Sequence, residues 1–96
     1  MANSYDIHQT VMVTGTFSDD AGLADPTTVT LKVQDPGGNE TTYTYTLGEV
    51  TRESIGVYSK AINVDTQGRW YYRWEGATAG ITAVLEDWFY VLPSEF

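Results

Sequence analysis

Ninety-six residues are one domain's worth of chain, and thirteen acidic against five basic residues leave a formal net charge of −8. That balance lacks the clustered Lys and Arg that phosphate backbones demand, which excludes nucleic acid and an anionic membrane as direct partners. The chain has no Cys, which excludes disulfides, thiol nucleophiles and thiolate metal sites, and no run approaches the ~20 apolar residues of a membrane-spanning helix.

The first ten residues, MANSYDIHQT, carry neither a basic segment nor an apolar stretch, so no signal peptide is read there, and residues 1–9 are expected to be free. Alternation of period two, the pattern of strands, then recurs along the chain. The first strand runs from Thr10 to Phe17, with Val11, Val13 and Phe17 on one side and Met12 on the other. The turn residues from Ser18 to Gly22 end it, and Asp25-Pro26 leads into the second strand, Thr28 to Asp35, where Val29, Leu31 and Val33 share a face. Pro36-Gly37-Gly38-Asn39 reverses the chain into a third strand, Glu40 to Leu47, with Tyr43, Tyr45 and Leu47 expected inside.

A fourth, short strand is read around Glu49 to Arg52, and a fifth from Gly56 to Val64. The sixth, Arg69 to Glu75, alternates Trp70, Tyr72 and Trp74 against Tyr71, Arg73 and Glu75, and the seventh runs from Ile81 to Leu92. Residues 93–96 are expected to fray. Lys60 and Asp87 fall in apolar register, which fits a bulge, a strand end or a snorkelling stem better than a buried ion pair. Seven short strands at this spacing predict an all-β fold, a single antiparallel β-sandwich over residues 1–96, with a small barrel as the competing all-β answer. Three Trp, seven Tyr and three Phe suit the thin core of so small a domain.

Catalytic groups are scarce. His8 is the sole histidine and has no nucleophile elbow near it, and the glycines lack the Lys-Ser/Thr that follows a phosphate loop. No catalytic residue, metal site or cofactor is therefore expected. Asp19, Asp20 and Asp25 share a loop of the kind calcium favours, but without the D-x-[DN]-x-[DN]-G spacing they read as turn residues. The aromatics say more. Tyr71, Trp88 and Tyr90 fall opposite the core register on neighbouring strands, and Met12 would flank them if the first strand paired with the seventh. These four are the candidate partner-binding residues.

From Ser54 the chain reads Ser-Ile-Gly-Val-Tyr, then Asp-Thr-Gln-Gly-Arg-Trp-Tyr-Tyr. Paired G-x-Y and D-x-x-G-x-[YW] turns of this kind resemble those of bacterial and phage immunoglobulin-like domains, filamin-type repeats included. The resemblance implies an immunoglobulin-like sandwich in which Gly56 with Tyr58, and Gly68 with Trp70, are critical to folding. Short, acidic, Cys-free domains of this type are similar to accessory proteins of tailed-phage virions. That implies a non-enzymatic module, a capsid decoration or a head–tail or tail component, made in the host cytoplasm and docked on a virion protein or its own copies. A carbohydrate-binding or adhesin-type module is the competing reading.

Overall fold

Two sheets of unequal size stack face to face in the computed structural model, which describes residues 3–19, 21–78 and 81–93. The strands are β1 (Asn3–Asp6), β2 (Thr10–Thr16), β3 (Ser18–Asp19), β4 (Gly22–Leu23), β5 (Thr28–Gln34), β6 (Glu40–Thr44), β7 (Thr51–Ser54), β8 (Val57–Asn63), β9 (Gly68–Thr78) and β10 (Ile81–Leu92). The larger sheet has the order β1-β10-β9-β5-β6 and the smaller β2-β8-β7, while β3 and β4 form a separate two-residue hairpin. Every pairing is antiparallel except β1 with β10. This is the expected immunoglobulin-like sandwich, and each of the seven expected strands is present.

The core forms where the alternating faces meet. Val11, Val13 and Phe17 around β2 face Leu31 and Val33 of β5, Trp70 and Trp74 of β9, and Phe89 of β10. Gly15 lies so close to Trp74 that a Cβ there would come within 2.6 Å of the indole, which places β2 directly over β9. Trp74 is fully buried, and its indole N–H has no partner among the described residues, so the ring contributes through packing. Trp70 stacks on Phe89 with 6.1 Å between centroids and donates its indole N–H to the Thr66 carbonyl at 2.9 Å.

Three details differ from the sequence reading. Within the stretch expected to be free, Asn3–Asp6 is strand β1, in register with Phe89–Leu92, and Tyr5 meets Phe89 edge-on at 5.4 Å. The third strand stops at Thr44, and Tyr45–Leu47 form a 3-10 turn closed by Gly48 at φ 78°, which leaves Tyr45 and Leu47 exposed instead of inside. The short fourth strand sits slightly later than expected, at Thr51–Ser54. Lys60 is partly buried, its ammonium 4.8 Å from the centre of the Tyr43 ring, as a snorkelling stem would be, whereas Asp87 lies exposed opposite Tyr72. The expectations for residues 94–96 and for Asp20 lie outside the described residues.

Candidate functional site

Strands β9 and β10 form the longest hairpin of the molecule, and its register decides what the outer face of the larger sheet displays. Trp70, Trp74 and Phe89 face the core, so alternation turns Tyr71, Trp88 and Tyr90 outward. Tyr71 stands directly across from Trp88, and Tyr90 across from Arg69. Tyr71 is 45% and Tyr90 40% exposed. Trp88 is only half-buried, because the Arg69 guanidinium lies over its ring at 4.2 Å and caps one face. A cation held against an indole in this way fixes both side chains.

Charged and polar groups border the rings. Gln34 of β5 lies beside Tyr71, and Glu40 of β6 beside Gln34. Arg73 pairs with Glu75 at 2.8 Å and approaches Glu86 at 3.9 Å, and Lys32 reaches Glu75 at 3.6 Å. Lys32, Gln34, Glu40, Tyr71, Arg73 and Glu86 line a shallow depression of about 220 Å³. The face is therefore ring-bearing at one end and laced with ion pairs at the other.

Met12 does not belong to this surface. Its strand pairs with β8, where Met12 lies opposite Ala61, so its side chain, 60% exposed, sits on the outer face of the opposite sheet. The physical reason is that β1, and not β2, takes the place beside β10. Ser4 is the residue next to Tyr90 on that side.

A second polar cluster went unread in the sequence. Asp25 accepts Arg52 Nε at 3.1 Å and Nη2 at 2.8 Å, the Gly56 N–H at 2.8 Å and the Tyr58 hydroxyl at 3.1 Å. The Arg52 hydrogen bonds, then the Gly56 N–H, hold its carboxyl well below the ordinary 3.8, at about 2. Burial, then the bond to Asp25, pushes the Tyr58 phenol up. Gly56 has φ 74°, and a Cβ there would come within 2.5 Å of the Phe17 carbonyl oxygen, so no larger residue fits. With four donors on one carboxylate the cluster is a clasp joining the loop before β5 to the turn between β7 and β8. Asp25 is thereby engaged by Arg52, and Asp19 accepts the Ala21 N–H at 2.8 Å as a turn residue does. The legible signals were Asp25-Pro26 and Gly56-x-Tyr58, which the sequence placed in separate turns. Gly68, the partner of Trp70 in the other turn, has φ 125° and packs against Pro36.

No protein-family model and no curated protein matches the chain. Solved structures share its fold. An endo-beta-1,4-mannanase from Thermotoga petrophila superposes with a TM-score of 0.68 at 18% identity, over 98% of this chain and 18% of that one. A candidate glycoside hydrolase from Bacteroides vulgatus gives 0.62 at 11% identity, over 96% of this chain and 16% of its own. The chain thus spans less than a fifth of the length of either neighbour, and the likeness is one of fold.

Proposed function

We propose that the chain is a non-catalytic binding module that docks a virion protein on the outer face of its larger sheet, as an accessory component of a tailed-phage particle. The observation that carries the docking face is the placement of Tyr71, Trp88 and Tyr90 side by side on that surface. Trp and Tyr dominate binding hot spots, and a central aromatic group with a polar rim is the usual anatomy of a protein interface. Lys32, Arg73, Glu75 and Glu86 already pair with one another, which leaves Arg69, over the Trp88 ring, and Glu40 as the charges a partner would meet. The virion setting rests on the similarity of short, acidic, Cys-free domains of this type to accessory proteins of tailed-phage virions.

The double substitution Trp88→Ala, Tyr90→Ala tests this. It should retain a cooperative melt and be missing from purified particles, as measured by immunoblot against wild type. A double variant that unfolds, or that enters particles normally, removes the face from consideration.

A second reading is favoured by the names of the two neighbours, both glycoside hydrolases. Exposed rings flanked by Gln34, Glu40 and Arg73 are also suited to stack on and hydrogen-bond a sugar chain. Retarded migration in a gel containing mannan, lost in the same double variant, would favour this reading over the first.

A further inference from the structure

The larger sheet has five strands and the smaller three, and the mismatch leaves a vacant lane. Gly15 of β2 covers Trp74 of β9, which is wholly buried. Leu85, paired with Trp74 on the neighbouring strand β10 and facing the same way, is nonetheless 37% exposed. Ala83 and Asp87, on the same face of β10, are exposed as well. Among the described residues, then, no strand lies beside β2 over this half of β10. At the end of the lane Phe17, Pro26, Gly76 and Ala83 line an apolar pocket of about 140 Å³.

The edge facing the lane is unprotected. The Phe17 N–H points to the Gly56 carbonyl on the β8 side, and backbone groups two residues apart point the same way. Val11, Val13 and Gly15 therefore bond β8, while the N–H and C=O groups of Met12, Thr14 and Thr16 face outward, with no strand paired to them among the described residues. Strand β2 reads Thr-Val-Met-Val-Thr-Gly-Thr, seven residues without charge or proline, the devices that normally blunt an edge. The other edge strands of the two main sheets are shorter, and each carries a charge: Asp6 on β1, Glu40 on β6, Arg52 and Glu53 on β7.

We propose that the edge of β2 accepts one extended strand donated by a partner protein, with two alternate apolar residues over Ala83 and Leu85 and a basic residue facing Asp87. This site is separate from the aromatic face and stands or falls independently of it. A second folded copy does not fit. Strand β1 lies beside residues 89–92 only, so along 83–87 strand β10 alone forms a ledge beyond β2, roughly 5 Å wide at the usual strand spacing. A second copy paired to β2 would need that same space for its own larger sheet. Two copies joined edge to edge would drive their ledges into each other, whereas a single strand lies on the ledge. The basic residue follows from the exposed Asp87 and from the chain's net charge of −8. Main-chain bonds would supply affinity and the alternating side chains specificity, as in other strand additions.

The probe is the blocked heptapeptide Thr-Lys-Thr-Val-Thr-Ile-Thr, titrated into the nitrogen-15-labelled protein. Expected are shifts confined to 12–16 and 83–87, and exchange of the Met12, Thr14 and Thr16 amides slowed at least about tenfold. Thr14→Pro removes one outward N–H without touching the β8 ladder and should weaken binding by at least about tenfold. Asp87→Lys, an exposed substitution that decides the matter if the proline variant fails to fold, should reverse the preference for this peptide over its Lys-to-Glu version. No binding at millimolar peptide, shifts centred on Tyr71 and Tyr90, or slowing of the β2 amides with protein concentration alone would overturn the proposal.

Discussion

Asp25 and Trp70 hold the domain by different physics, and pH separates them. A carboxyl whose pKa falls on folding, here to about 2, adds stability that is complete above its ordinary 3.8 and is lost as pH drops through the folded value. Asp25→Asn should therefore lower the urea midpoint at neutral pH, and the gap from wild type should close as pH falls from about 4 to about 2. Added salt should narrow it too, since the Arg52 pair is partly exposed. Trp70 is buried against Phe89, and its removal leaves a cavity at any pH. Trp70→Ala should cost about 3–5 kcal/mol, enough to unfold much of a marginally stable domain. A melting temperature within a few degrees of wild type would show that the ring is not packed in the core.

At the level of strands, the sequence reveals which way a side chain points far better than which strand lies beside it. Alternation placed Tyr71, Trp88 and Tyr90 outward, and the short β9–β10 connection made those strands neighbours, so the aromatic face was legible from local signals. Met12 was given the correct outward direction but the wrong sheet, because the pairing of β2 with β8 joins residues as far apart as Thr10 and Asn63 and leaves no mark on either. β1 was invisible for the same reason: Asn-Ser-Tyr-Asp has little strand character and is held by its register with 89–92. Tyr45 and Leu47 failed differently. Their alternation continues that of β6, but Gly48 closes a turn that curls the chain out of the sheet. The Asp25 clasp needed three separate segments to meet, and no spacing within any one of them announces it.

Over the whole molecule, charge opposes compactness. Thirteen acidic side chains, of which the described ion pairs engage Asp25, Glu75 and Glu86, repel one another across a small surface. Raising sodium chloride from about 10 mM, where screening reaches ~30 Å, to about 150 mM, where it reaches ~8 Å, should raise the melting temperature. A fall over that range would mean that ion pairs outweigh the net charge.

The parallel pairing of β1 with β10 has a mechanical consequence. Asn3 lies beside Phe89 and Asp6 beside Leu92, so the chain enters at one end of this ladder and leaves at the other. Tension applied through the two ends of the domain then runs along β1 and β10 in opposite directions. Their hydrogen bonds share the load and must rupture together, whereas a hairpin pulled open from its tip gives way one bond at a time. The Ile7 N–H bonds the Leu92 carbonyl, so the Tyr5 N–H, two residues earlier, points to the same strand. Tyr5→Pro should lower the peak unfolding force in single-molecule stretching more than Tyr5→Ala, which spares the backbone bond. A domain tethered at both ends would thus resist pulling along this line more strongly than across it.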